Sequence, residues 1–354
     1  MQDRDLLAIR DAGLISTSQF EEISAFLQGR DKATATGPRF DLTHVLWYAG
    51  ALIIMGAMGL FTNEAFNSMG GLALAMCGAA YMLAFGIAGH LLWRSKATRT
   101  PGGLAIAVAI AMVPLIVYGI QDWLNLWDYA KGDPGQYRNF FPYVHGSWLY
   151  MEAATALAAL IAVRSYRFPF ILMVAAVALW FMSMDLAMWF TRSPDASYTD
   201  TFDIRRTVSM WFGLALMIVA WLADLRRKGP EDMTFWLHMA GAAAFWGGLS
   251  LSSGAPEFQK FLYCLINVAL LGYSLFINRR IYAVFAAFGV ALYLGHLAQD
   301  VFRDTILFSF ALSAIGIAIV AAGLYLHKTR ASLERRFADM LPEGLRRFRP
   351  GPGT

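Results

Sequence analysis

Apolar and polar positions along this chain alternate in long blocks, each about as long as a membrane is thick. A helix rises about 1.5 Å per residue, so roughly 20 apolar residues cross a hydrocarbon core of about 30 Å. The sequence contains ten such blocks, at approximately 44–62, 70–93, 102–120, 147–164, 168–190, 207–225, 233–252, 258–277, 281–300 and 304–327. The pattern predicts an all-α, polytopic transmembrane helical bundle of about ten helices.

Composition excludes a soluble protein and a nucleic-acid-binding protein. Only 15% of the residues are charged and 58% are hydrophobic, whereas soluble domains average about 25% charged residues. The net charge of +4 comes from basic residues in the connections, where they meet the headgroups of membrane lipids. Cys77 and Cys264 both lie inside apolar blocks, which indicates neither a disulfide framework nor a thiolate metal site.

The basic residues fall on alternate sides of the ten blocks. Of the 29 Lys and Arg residues, 22 lie in the two tails and the even-numbered loops, and 7 lie in the odd-numbered loops. Loops rich in Lys and Arg stay in the cytoplasm. We therefore predict a multi-pass protein of the inner (plasma) membrane with both its N-terminus and its C-terminus in the cytoplasm.

Three segments lie outside the transmembrane region 44–327. Residues 1–30 are predicted to form a cytoplasmic helical hairpin, in which Ser16 and Gln19 have the spacing of a capping box. This hairpin is too small to bury its own core, so we expect it to bind the bundle, a cytoplasmic protein partner or a second copy. Residues 31–43 form a linker, and 328–354 form a basic amphipathic tail.

Weak internal similarity predicts a direct repeat. The fourth and fifth blocks align with the eighth and ninth, placing Arg167 over Arg280, and the sixth aligns with the tenth, placing Arg205 over Arg303. We therefore expect a four-helix unit to occur twice, as predicted helices 3–6 and 7–10, numbered by their apolar blocks. Parallel repeats of this kind occur in several transporter folds.

Ionisable side chains inside the blocks are the candidate functional residues, because burying a charge in a membrane is costly. Glu152 and Asp185 lie about five residues from the outer ends of consecutive blocks, where Arg205 enters the next one. The predicted binding residues are Glu152, Asp185, Arg205, Arg206, Tyr150, His296, Asp300 and Arg303. The alternative is that these residues form ion pairs that hold helices together, or reach the interface with long side chains.

Motifs of soluble enzyme chemistry are absent from the sequence. It contains no Gly-rich phosphate loop, no His pair at i and i+4, no Gly-x-Ser-x-Gly and no Cys-x-x-Cys. We therefore predict no catalytic residue, no metal and no cofactor. An intramembrane enzyme that acts on lipid stays open as a third possibility, although no nucleophile–base arrangement supports it.

Several short segments resemble a known family. They are Gly13-Leu14-Ile15-Ser16, the run from Thr100 through Pro114, the segment from Tyr166 to Phe170, Leu179 to Asp185, Phe245 to Leu251 and the tail from Leu341. These segments are similar to a bacterial family of predicted multi-pass inner-membrane proteins that carry a domain of unknown function. The resemblance implies a bacterial inner membrane and a helical bundle, and it carries over no activity.

Two functions are consistent with these features. The first is a permease-like protein that handles a small solute or an ion in an outward-facing polar pocket. The second is a scaffold or sensor that acts through its cytoplasmic hairpin and basic tail. The permease-like hypothesis is preferred because acids are buried in the membrane on neighbouring helices.

The orientation gives the first testable prediction. A fluorescent protein that folds only in the cytoplasm, fused after residue 354, should be bright, because the basic loops hold both termini inside. Alkaline phosphatase fused at the same position should be inactive. An active phosphatase would place the C-terminus and every predicted site on the opposite side.

Overall fold

The computed structural model describes residues 15–23, 42–68, 70–126, 147–191, 198–226, 232–252 and 256–297, with five single positions between 310 and 321. These residues form α-helices and no strand. The helices are α1 (Leu42–Ser68), α2 (Gly71–Trp93), α3 (Arg99–Ala111), α4 (Val113–Trp123), α5 (Ser147–Tyr166), α6 (Pro169–Thr191), α7 (Tyr198–Leu225), α8 (Phe235–Ser250), α9 (Glu257–Ile277) and α10 (Arg280–His296). A short 3-10 helix, Lys96–Thr98, precedes α3.

The all-helical, membrane-spanning fold is confirmed. Five helical segments are long and apolar enough to cross a membrane: Gly71–Trp93, Lys96–Trp123, Pro169–Met188, Thr201–Leu225 and Glu257–Ile277. Helices correspond to the first nine predicted blocks. The basic tail and most of the tenth block and of the N-terminal hairpin lie outside the described residues.

Two helices differ from the apolar blocks that predicted them. The third block is divided into α3 and α4 at Met112, because Pro114 has no N–H to donate to the preceding turn. Helix α7 begins at Tyr198 rather than near 207. Its first turns are polar, so a search for apolar residues misses them although they are helical.

The predicted capping box is present in the N-terminal region. Residues 17–23 are helical. The N–H of Gln19 donates to Ser16 Oγ at 3.2 Å, and the N–H of Ser16 donates to Gln19 Oε1 at 2.9 Å. These reciprocal bonds satisfy donors that a helix N-terminus leaves open.

Glycines bring two pairs of antiparallel helices into backbone contact. Between α7 and α8, a Cβ at Gly213 would collide with the backbone nitrogen of Phe245, and one at Gly248 would lie 2.7 Å from the carbonyl oxygen of Arg206. Between α2 and α4, a Cβ at Gly71 would lie 2.5 Å from the carbonyl oxygen of Gly119. Lipid provides little hydrophobic drive for helix association, so this close van der Waals packing stabilises the bundle.

The described bundle consists of two groups of helices that meet at α6. Helices α1–α6 form most of two apolar clusters, the first of which also contains Trp236 of α8, and α7–α10 share a third around Tyr282 and Ala286. Helix α6 contacts both α7 and α8. Phe170 of α6 packs on Trp236 of α8 with ring centroids 4.7 Å apart.

Two hairpins have the correspondence that a direct repeat predicts. Helices α5 and α6 are joined at Arg167, with φ 43°, and α9 and α10 are joined at Asn278, with φ 59°. In the first proposed unit the first and third spans are in contact, as α3 and α6. In the second unit the corresponding spans are in contact, as α8 and α10. Superimposing the two turns pairs Arg167 with Asn278. The sequence alignment had paired Arg167 with Arg280, two residues further along the chain. The fourth helix of the second unit lies outside the described residues.

The α7–α8 contact predicts opposite effects for two alanine substitutions. Gly213→Ala should destabilise the protein by about 1–3 kcal/mol because the new methyl group forces the backbones apart. Gly247→Ala, in the partner helix, meets no atom within 4 Å and should be neutral or stabilising by up to about 1 kcal/mol. Thermal unfolding of both variants in detergent measures the difference. Equal melting temperatures would contradict the proposed contact.

Candidate functional site

A buried ion pair joins α6 and α7 near the end of the bundle predicted to be external. Arg205 Nη2 lies 3.2 Å from Asp185 Oδ1, and the two side chains are 14% and 4% exposed. Asp185 lies in the last two turns of α6, and Arg205 lies in the second turn of α7. Antiparallel packing of consecutive helices therefore brings them to the same depth.

Glu152 reaches this ion pair from α5. Its side chain is buried, and Asp185 and Arg205 are its charged neighbours among the described residues. No N–H or O–H group of the described residues donates to Glu152 Oε2. Two carboxylates would bring two negative charges to this buried position, where Arg205 supplies a single positive charge.

We call Glu152, Asp185 and Arg205 the outer triad. The sequence predicted that these residues would lie together, and the structure brings them together. It does so in a packed, buried position and not in an open pocket. Tyr150, predicted to line the same site, is 69% exposed and is therefore not part of this buried group.

Arg206 and His296 belong to a separate cavity. It has a volume of about 520 Å³ and lies between α7, α8, α9 and α10, at the same end of the bundle as the outer triad. Its lining residues are Arg206, Leu249, Ser250, Ser252, Gln259, Lys260, Leu262, Tyr263, Ile266, Leu292, Tyr293 and His296. The single predicted site is thus two sites in the structure. Asp300 and Arg303 lie outside the described residues.

A second buried polar network occupies the opposite end of the bundle. Arg279 Nη2 lies 2.9 and 2.8 Å from the two carboxylate oxygens of Asp224. Arg279 Nη1 donates to Asp232 Oδ2 at 2.6 Å, and Nη2 donates to Thr234 Oγ1 at 2.8 Å. Thr234 also donates to Asp224. The turn after Asn278 thus ties α9 and α10 to α7 and to the start of α8.

His238 extends this inner network into the bundle. Its Nε2 atom is 2.9 Å from Asp224 Oδ2, and its Nδ1 atom is 2.6 Å from the hydroxyl of Tyr282. His238 and Tyr282 are fully buried, and the ring of Tyr282 lies 4.9 Å from that of Tyr273. Each of the two histidine nitrogens has one partner, which fixes the orientation of the ring.

The charge of Arg279 is stabilised by its neighbours. Burial opposes that charge, but the hydrogen bonds and charges of Asp232 and Asp224 outweigh burial and raise the pKa of Arg279 above its ordinary value. Arg279 therefore stays cationic throughout the physiological pH range. The network is compensated in charge and rich in hydrogen bonds, which is typical of a structural clamp.

Sequence reasoning missed this network. Neither His238 nor Arg279 is among the predicted binding residues. The argument that paired Glu152 with Asp185 applies equally here, because Asp224 ends one span and His238 begins the next at a similar depth. No group of metal-ligating side chains occurs among the residues that the structure describes.

Comparison with known proteins identifies the class of the chain. Residues 8–122 match a family described as "Predicted membrane protein (DUF2157)". The protein is a multi-pass membrane protein. This match confirms the resemblance seen in the sequence. No curated protein and no solved structure matches the chain.

The matched segment ends before the functional candidates begin. It includes α1–α4, whereas the outer triad, the cavity and the inner network are formed by α5–α10. The family match therefore supports membrane insertion and says nothing about these sites. Their interpretation depends on geometry and charge.

The inner network predicts a large difference between adjacent arginines. Arg279→Gln leaves Asp224 buried without its cation and should destabilise the protein by about 3–5 kcal/mol. Arg280→Gln removes an exposed charge and should change stability by less than about 0.5 kcal/mol. Thermal unfolding in detergent at matched lipid content measures both. If both substitutions lowered the melting temperature equally, the inner network would not be the structural clamp described above.

Proposed function

We propose that this protein is a permease-like protein of the inner membrane that moves protons together with a small solute. The observation that carries this proposal is a second buried carboxyl group, Glu152, beside the ion pair of Asp185 and Arg205. One proton shared by the two carboxyl groups would remove the uncompensated negative charge. An ion pair that merely joins two helices would be complete with Asp185 and Arg205. A second buried carboxyl group adds a desolvation cost without adding a cation.

The outer triad is suited to releasing and accepting a proton. With Glu152 protonated, the three side chains have no net charge. Loss of the proton leaves two carboxylates beside one guanidinium, a state that a low-dielectric site disfavours. A rearrangement that admits water, or a cation, would stabilise the deprotonated state. The occupancy of this one proton is therefore coupled to the conformation of α5, α6 and α7.

Helix α7 connects the outer triad to the cavity. Arg205 belongs to the triad and the next residue, Arg206, lines the cavity. One turn further along α7, Ser209 Oγ accepts from Trp180 of α6 at 2.8 Å and donates to the carbonyl oxygen of Ala244 in α8 at 2.9 Å. A movement of α7 that follows the loss of the proton would therefore alter the wall of the cavity.

Proton flux into proteoliposomes tests this proposal. The purified protein is reconstituted with a pH-sensitive dye inside, and a potassium diffusion potential drives protons inward. Glu152→Gln should lower the flux at least about tenfold because an amide cannot release the proton. Asp185→Asn should also lower it, and Glu21→Gln, an exposed acid of the N-terminal helix, should not. Unchanged flux in both triad variants would contradict the proposal.

A scaffold or sensor role is the second candidate. The capped segment around Ser16 is exposed on the N-terminal side, and Ile23 presents an apolar side chain there. Deletion of residues 1–30 distinguishes the two functions. The permease-like role predicts that flux persists, whereas the scaffold role predicts loss of the cellular phenotype without any change in flux.

A further inference from the structure

The cavity between α7 and α10 has the chemistry of a binding site for an anion. We propose that it binds a small organic anion, with the acid group against Arg206, Lys260 and His296 and an apolar body against the leucines. This inference deepens the proposed function by naming the class of solute, and it relies on that function only for the transport step. Binding itself is independent of the outer triad.

Every ionisable side chain that lines the cavity, among the residues described, is basic or a tyrosine. Two acids approach from outside the lining. Glu257 contacts Lys260 at 2.7 Å and His296 at 3.1 Å, and Asp203 contacts Arg206 at 3.2 Å. Glu257 and Asp203 are 65% and 57% exposed, so water screens their charges. Arg206 Nη1 also donates to the carbonyl oxygen of Gly248 at 3.3 Å. The acid group of a ligand would therefore compete with exposed acids for these nitrogen atoms.

The uncharged part of the lining sets the shape of the ligand. Ser250 Oγ and the Tyr263 hydroxyl are 2.9 Å apart, and Gln259 and Tyr293 add further polar atoms. The apolar part of the lining consists of Leu249, Leu262, Ile266 and Leu292. A volume of about 520 Å³ falls within the range of roughly 300–1,000 Å³ that is typical of small-molecule sites. A carboxylate or phosphate group on a small apolar body matches both the polar and the apolar residues of the lining.

Polar side chains continue beneath the cavity toward the other side of the membrane. Asn267, in the middle of α9, is fully buried and donates to the carbonyl oxygen of Tyr263 at 2.9 Å. Its Oδ1 atom has no hydrogen-bond partner among the described residues and lies against Gly289 of α10. A buried acceptor without a donor is costly in a membrane. Two turns further along α9, Tyr273 leads to the inner network.

The binding experiment uses the full-length protein in detergent, with two probes of the same shape. Benzoate carries a carboxylate, and trimethylanilinium carries a positive group on the same ring. Isothermal titration calorimetry should detect benzoate and not trimethylanilinium. Vesicles with and without phosphatidylglycerol, added at equal lipid concentration, show whether an anionic lipid competes for the cavity.

Two substitutions should change affinity in opposite directions. Lys260→Gln should weaken benzoate binding at least about tenfold, since a hydrogen bond to a charged group is lost. Glu257→Gln should strengthen it several-fold because it frees Lys260 and His296 from their acidic neighbour. Arg280→Gln, at the other end of α10, is the matched control and should leave affinity unchanged.

The outcomes separate this inference from the proposed function. Benzoate binding that is weakened by Lys260→Gln and unaffected by Glu152→Gln supports the anion site, even if proton flux is absent. Equal binding of the two probes, or no binding of either, overturns it. Occupancy by phosphatidylglycerol with no benzoate binding also overturns it, since the ligand would then be a lipid. Melting temperatures of all variants show that each is folded.

Discussion

The absence of hydrogen-bonding solvent around a transmembrane bundle constrains every polar group described above. Each charge in a span must find its counter-charge or its proton within the protein, because lipid supplies neither. Asp185 meets Arg205, and Asp224 meets Arg279. Both pairs lie near helix ends, where a shorter path to water lowers the cost. Glu152 is the exception, since its charged neighbours in the part of the chain that the structure describes, Asp185 and Arg205, are already paired with each other.

Helix α7 concentrates these interactions along its length. At its outer end adjacent arginines face two different sites, and at its inner end Asp224 meets the turn that joins α9 to α10. Between them, small residues allow the backbone of α8 to come into contact. The helix therefore links groups of residues that are far apart in the sequence. A substitution in α7 has the widest range of consequences.

The sequence predicted the spans and the outer triad, because hydropathy marks helices that cross lipid and an acid in such a helix needs a partner. It could not separate Arg206 and His296 from the triad, since the direction of a side chain around a helix depends on packing. Tyr150 shows the same limit: it lies two residues before Glu152 and faces outward. The inner network was missed because Arg279 stands in a turn, where a basic residue usually marks only topology. The polar start of α7 was missed because it has no apolar signature.

The close approach of α7 and α8 also determines which parts of the bundle can shift. Where two backbones touch at Gly213 and Gly248, sliding one helix along the other would drive carbonyl groups into neighbouring chain atoms. These helices must therefore travel as a single rigid element. Among the described residues, no glycine brings backbones this close where α6 meets α7, and that surface contains Asp185 and Arg205. The ion pair therefore lies where side chains, not backbones, hold the helices together.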